Sequence, residues 1–596
     1  VATVVETGAE QVEWDLGDLY AGEDDPQLAR DLEGAKRDAE DFHARYAGRI
    51  GELGPSELAA VTADLERVTG AMHNIVLFAR LRFDADTADE ARARFLAKME
   101  EEATAIGNEL RFFELEWAAL EDEHAARLLE RPELEHYANF LRSQRRFRPH
   151  LLSEAEERIN AEKAISGITA WGRLYSDLLS QIRVQHGDED LSIDQARDRL
   201  RVTTDRDERR RLNEATVAAL GNNLRTRAFV LNTAVSDRAI EDRLRGYPTW
   251  LSWRNQLNEI SDDAVDALIE AVVARYDIIQ RHYRLRARLL GIERLADYDR
   301  YAPVSDPPRM NWDEARDAIT DAYASFSPLV AEIVTRFFDG RWIDAASRPG
   351  KTPGAYCAMR VPGVHPYILM TFAGSRLSAL TLAHELGHGA HAVLSADVGY
   401  FNSELPLTLA ETGSVLGEAI TFRHLLERSD GARERLDLLV AFIDELAGTV
   451  FGAMAANRFE DAAHNERRTD GELSAARLGE LWMDVHARMC GDAVELTDGF
   501  ATFWSYYPHF PLVPGYMYAY SFGSLLSLAI YQRYVQEGDS FVEPILGLLR
   551  AGGSEPPAQL VRRVGFDLDD PGLWNHGLDA LEALVAEAES LSAEAR

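Results

Sequence analysis

Cysteine is nearly absent from this chain, with two in 596 residues, Cys357 and Cys490. Two thiols in so long a chain exclude a disulfide framework, and a reducing cytoplasm is the expected setting. Long apolar runs are missing too. No stretch reaches the ~18–20 consecutive apolar residues of a membrane span. The segment from Val1 to Gly8 has neither the basic start nor the apolar core of a signal peptide. Basic charge is also short, at 64 Lys plus Arg against 100 Asp plus Glu, a formal net charge of −36. Nucleic acid, which needs a basic face, and an anionic membrane surface are therefore not expected partners. Alternating, strand-like stretches are almost absent from the first half.

What is present is helix. Residues 31–46, 55–82, 90–120 and 264–290 space apolar residues by three and four between charged ones. A chain of this length exceeds what one simple core usually serves. The charged run from Asp205 to Arg211 reads as a solvated helix face. Proline-rich breaks fall at 301–310 and 348–354, and the second leads into a region of different texture. There 355–361 and 366–372 are short and rich in Tyr, Met, Val and Ile, with Pro362-Gly363-Val364-His365 between them, and predict a β-hairpin. Ser375 or Ser378 can cap the helix that follows. A second helix is predicted over 407–427.

The first of these helices carries His384-Glu385-Leu386-Gly387-His388. One turn brings the two imidazoles, at i and i+4, to one face where both can bind one Zn²⁺. Glu385 lies beside them, placed to accept a proton from a metal-bound water during attack on a peptide carbonyl. The apolar neighbours Leu380, Leu382, Ala383, Leu386 and Ala390 predict a buried helix, and buried histidines need partners. A catalytic zinc needs a third protein ligand. His391 shares the face but lies about 10 Å from His384 along the axis, too far for one ion. Glu404 falls in a predicted loop. Glu411 opens the next helix and is the candidate third ligand. Glu418, on the same face, can then orient a ligand histidine as hydrogen-bond acceptor.

Thr381-Leu382-Ala383-His384-Glu385-Leu386-Gly387-His388, then Ala410-Glu411-Thr412-Gly413-Ser414 and Glu418, resemble the thimet oligopeptidase family, and within it the oligoendopeptidase F branch. Trp14-Asp15-Leu16-Gly17-Asp18-Leu19-Tyr20, residues 140–179 with Arg148-Pro149-His150, the segment from Asp297 to Pro303, and Gly354-Ala355-Tyr356-Cys357 extend the likeness over nearly the whole chain.

The resemblance implies a mainly α, zincin-like helical ellipsoid with a deep substrate channel and a small β-hairpin or sheet beside the zinc helix. It implies an N-terminal helical domain over 1–200 and a catalytic domain over 201–596. It implies one Zn²⁺ per chain held by His384, His388 and Glu411, with Glu385 as general base. Short unstructured peptides are the implied substrates, cut at internal bonds, by a cytoplasmic monomer or homodimer. A late loop supplies a histidine and tyrosines, here His509 followed by Tyr516, Tyr518 and Tyr520. Neutral phenols can donate to a developing oxyanion. An inserted residue in this loop leaves the choice open, with Tyr520 first and Tyr516 next. Tyr507 and Phe510 read as core. The strand over 366–372 is expected to lie at an edge where an extended peptide can pair with it. Two rival readings are a zinc carboxypeptidase and a helical binding scaffold with a structural zinc.

Overall fold

The computed structural model describes residues 6–305 and 309–594. The segment before Glu6 and part of the 301–310 break therefore lie outside the described residues. The chain forms two compact units, each built from three segments. The first comprises Val1–Arg148, Pro308–Glu427 and Arg533–Asp567; the second comprises Pro149–Pro307, Arg428–Gln532 and Leu568–Arg596.

The first unit opens with helices Pro26–Tyr46, Pro55–Ala85 and Glu90–Leu110. Asp25 caps the first by accepting from the Gln27 N–H, and Pro26 sits at the helix start, where its missing N–H costs nothing. Their apolar faces close on a core around Phe42, Leu58, Ile75, Phe78 and Trp117. The helix expected over 90–120 is broken at Arg111, and a second helix runs over Phe112–Ala119.

The same unit holds a three-stranded sheet of order Ile343–Asp344, Tyr367–Leu369, Tyr356–Ala358. Tyr356–Ala358 pairs antiparallel with Tyr367–Leu369, and Ile343–Asp344 pairs parallel to it on the other side. This corrects one expectation. The strand read over 366–372 is central, with both edges occupied and Tyr367, Ile368 and Leu369 fully buried. It cannot take a further strand. Trp14 packs edge-on against Tyr367 with ring centroids 6.2 Å apart, and Val12 O accepts from the Ala345 and Ala346 N–H groups. The N-terminal signature thus braces this sheet.

The second unit is helical apart from small strand pairs. A hairpin, Arg183–His186 with Glu189–Ser192, lies in the half read as strand-free. Its two-residue turn starts at Gly187, whose φ is +61°. The helix expected over 264–290 splits at Arg275, whose guanidinium reaches Asp579 at 2.9 Å and Glu582 at 2.6 Å. The charged run 205–211 is not wholly solvated. Arg209 is buried and donates to Asp299 Oδ1 at 2.9 Å, while Arg206 donates to Oδ2 at 3.0 Å. Asp299 is itself buried, so its charge needs these cations. One continuous run, Ala432–Asp470, has the length and hydropathy to cross a membrane, yet 67% of its apolar window is buried inside the fold. It contains a π-helical turn, Ala447–Gly452.

Candidate active site

The helix bearing the His-Glu-His motif runs from Arg376 to Leu394. Ser375 is its cap, accepting from the Ser378 N–H at 3.2 Å, while Ser378 Oγ accepts from the Ala373 N–H at 3.1 Å. Leu380, Leu382, Ala383, Leu386 and Ala390 are buried. That apolar face sets the rotation of the helix, and His384 and His388 share another face, with ring centroids 5.0 Å apart. Gly387 lets the next element come close. A Cβ there would stand 2.4 Å from the Gly413 carbonyl oxygen, so the motif helix and the helix Thr412–Glu427 touch backbone to backbone.

The single helix expected over 407–427 is interrupted at Glu411, between Leu407–Ala410 and Thr412–Glu427. Glu411 has φ −83° and ψ −1°, the sparsely populated bridge region in which many site residues sit. Its Oε2 lies 3.3 Å from His384 Nε2 and 3.5 Å from His388 Nε2, and accepts from Ser414 Oγ at 2.8 Å. His384 Nδ1 lies 3.1 Å from Glu418 Oε2. A hydrogen bond there fixes the tautomer and leaves Nε2 free to ligate.

The three donor atoms lie within 4.8 Å of one another. A tetrahedral zinc with ligands at 2.0–2.2 Å would set its donors roughly 3.3–3.6 Å apart, and the Nε2–Oε2 separations meet that. The electrostatics point the same way. Burial pushes the Glu411 carboxyl up, but its hydrogen bonds and attraction to His384 and His388 outweigh this and hold it well below the usual range. Burial pushes His384 down, but Glu411 and Glu418 outweigh it and raise the imidazole well above its usual range. Two carboxylates thus draw positive charge to this point. His391 stands apart, buried, with neither ring nitrogen hydrogen-bonded and its pKa pushed down to about 3 by burial and then His388.

Glu385 is 5% exposed. Burial raises its pKa against the attraction of His384 and His388, and its Oε2 has no hydrogen-bond partner. Such a carboxylate is available to take a proton.

His509, Tyr516 and Tyr520 gather in the second unit. Tyr520 Oη lies 3.5 Å from His509 Nε2, and the Tyr516 and Tyr520 rings are 5.1 Å apart. Burial lowers the His509 pKa, which keeps the ring neutral. Tyr518 is fully buried, and its hydroxyl accepts from Asn258 Nδ2 at 2.8 Å. The structure therefore leaves Tyr516 and Tyr520 partly open and removes Tyr518 from the choice. Phe510 lies in the unit's core and Tyr507 packs against it. The sequence reading missed Glu460. This buried carboxyl accepts from the Gly515 N–H at 3.0 Å and so ties down the loop carrying the tyrosines. Nothing in the sequence from Ala453 to Ala463, which also holds Asn457, Arg458 and Asp461, set it apart.

Comparison with known proteins bears on this geometry. The model of peptidase family M3 matches residues 200–579, more than half of the chain, and the model described as Oligopeptidase F matches residues 116–183. Oligopeptidase PepF of Bacillus subtilis (strain 168) is 24% identical over 563 residues, 92% of this chain and 83% of its own length. Group B oligopeptidase PepB of Streptococcus agalactiae serotype III (strain NEM316) is 24% identical over 601 residues, 98% of both chains. The crystal structure of oligoendopeptidase-F from Enterococcus faecium shares the fold with a TM-score of 0.70 at 22% identity, covering 95% of this chain and 97% of that one. Fold and site define a metalloendopeptidase. The chain belongs to peptidase family M3, in its oligoendopeptidase F branch.

Proposed function

We propose that this chain is a zinc-dependent endopeptidase that hydrolyses internal bonds of short, unstructured oligopeptides with Glu385 as general base. The observation behind this is the convergence of His384 Nε2, His388 Nε2 and Glu411 Oε2 at zinc-donor spacing beside a buried carboxylate. Zinc at these donors would polarise a substrate carbonyl and ease the ionisation of water at neutral pH.

The chain's own residues do the rest. Glu385 takes the proton of the attacking water and returns it to the leaving amine. Burial raises its pKa and makes it a better proton acceptor. Glu418 orients His384, and Ser414 orients Glu411. Neutral His509, Tyr520 and Tyr516 are the donors assigned to the developing oxyanion, Tyr520 first.

An extended substrate pairs with Tyr356–Ala358 rather than with the buried central strand. Tyr356–Ala358 ends the order of its sheet. Cys357 in this strand is near enough to Glu385 for the carboxylate to raise the thiol further above its usual range, beyond the effect of burial. Backbone pairing ignores side-chain identity, which suits broad specificity. The relatives named oligopeptidase support short substrates. The free thiols Cys357 and Cys490 suit a reducing cytoplasm. The break between the two matched family segments supports a functional division near residue 200.

The test is cleavage-site mapping by mass spectrometry on a mixed peptide pool, with and without a chelator. Internal cuts that vanish on chelation and return with zinc are expected. Residues lost only from the C-terminus would replace this reading with a carboxypeptidase, and chelator-insensitive cleavage would overturn the zinc dependence.

A further inference from the structure

The second unit lines a half-open cavity of about 310 Å³, most of which the site chemistry above does not use. His509 and Tyr520 lie on its lining, and so do three arginines, Arg197, Arg201 and Arg300. The chain has 100 acidic residues against 64 basic ones, so an arginine has carboxylates to choose from. Elsewhere in this unit two buried arginines pair with acids, while buried Arg227 and Arg254 donate to backbone carbonyls. Arg209 holds Asp299, and Arg286 holds Asp444. Among the described residues, no carboxylate lies within 4 Å of the Arg197, Arg201 or Arg300 guanidinium groups.

Arg197 and Arg201 sit at i and i+4 on the helix Ile193–Val202, one turn apart on one face. Aromatic faces hold them instead of acids. The Arg197 Cζ is 4.2 Å from the Tyr506 ring centroid, and the Arg201 Cζ is 5.4 Å from that of Tyr301. Stacking uses the flat face of a guanidinium; Arg197 also hydrogen-bonds the Tyr506 side chain, and the in-plane N–H groups not used there can meet an anion. Arg300 is better compensated. Burial works against its charge, but Tyr283, Tyr301, Cys490 and then Asp297, the one carboxylate on the lining, outweigh it. Trp482 and Phe500 supply an apolar wall. The π-helical turn Ala447–Gly452 presents Gly448 and Gly452 to the same space, and such turns occur often at functional sites.

We propose that this cavity receives the free C-terminal carboxylate of a peptide, with Arg197 and Arg201 as the anion-binding pair and the Trp482–Phe500 wall taking the terminal side chain. The proposal rests on the peptidase reading above and deepens it. It makes the carboxyl end of the substrate a specificity determinant. No covalent step is involved.

Two arms test it on the full-length, zinc-loaded protein. Titration calorimetry compares N-acetyl-phenylalanine with N-acetyl-phenylalaninamide. Steady-state cleavage compares one quenched peptide as C-terminal acid and as amide. The acid probe is expected to bind at least tenfold tighter than the amide, and the acid peptide to show a KM at least tenfold lower at similar kcat. In Arg197→Gln/Arg201→Gln both preferences fall below threefold. Arg201 is exposed, so Arg201→Gln alone, expected to lose at least threefold of the preference, serves if Arg197→Gln does not fold. Equal affinity for acid and amide overturns the proposal. So does a preference unchanged by the substitutions, which would place the carboxylate on the metal. If neither peptide is cleaved while the calorimetric preference follows the arginines, the peptidase reading fails and the cavity assignment stands.

Discussion

The motif helix and the late tyrosine loop present polar side chains in opposite ways. In the metal cluster His384 and Glu411 are aimed by named partners, Glu418 on His384 and Ser414 on Glu411, and the Gly387–Gly413 contact holds the two helices together. In the late loop, aim comes from burial. Tyr518 is locked to Asn258, Gly515 is tied to Glu460, and the Tyr516 and Tyr520 rings pack against each other and His509. A metal site needs fixed donors before the ion arrives. An oxyanion donor needs only a neutral O–H within reach when charge develops. The contrast teaches that the first region should fail through metal loss and the second through rate.

The largest effect expected of that contrast is on rate. Tyr520→Phe should lower kcat roughly 10²- to 10³-fold with metal content unchanged, while Tyr518→Phe should leave kcat within about twofold and cost about 1 kcal/mol of stability. Paired stopped-time assays and denaturant melts check both. A larger loss in Tyr516→Phe than in Tyr520→Phe would reassign the donor. Next, Glu418→Gln should weaken zinc affinity roughly 10- to 100-fold, read by competition with a chromogenic chelator.

Gly387→Ala should destabilise the protein by about 1–3 kcal/mol, because the new methyl meets backbone rather than a yielding side chain. It should release metal as the helices part. Full stability in this variant would mean that the contact is not needed.

The last effect is a pH slope, modest at any one pH. Burial pushes the Glu460 carboxyl up to about 8, against an ordinary value of 4.5. Between those values the folded chain holds a proton that the unfolded chain has released, so stability falls as pH rises from about 5 to about 8 and then levels. The slope from this group is at most about 1.4 kcal/mol per pH unit. Glu460→Gln should flatten it in thermal melts across that range.

The motif helix was legible because its chemistry is local. Spacing places His384 and His388 on one face, apolar flanks fix the burial, and Ser375 caps the start. Glu411 was legible as a candidate ligand, but the helix break beside it was not, since no proline or glycine stands at position 411. The central position of Tyr367–Leu369 was hidden for a similar reason. Its second partner, Ile343–Asp344, is a two-residue strand with no periodicity to read. Arg209 looked like one more charge on a solvated face until Asp299, 90 residues away, gave it a buried partner. The Gly187 turn was readable and was overlooked in a helix-rich half. The choice among Tyr516, Tyr518 and Tyr520 depended on Asn258, far away in sequence.

The central claim is that Glu385 moves the proton while His384, His388 and Glu411 hold the metal, and Glu385→Gln separates the two. Metal analysis with cleavage of a short quenched peptide on this variant should find one zinc per chain retained and turnover reduced by about 10³-fold or more, the scale of a lost general base and its electrostatics. Undiminished turnover with zinc in place would contradict the account.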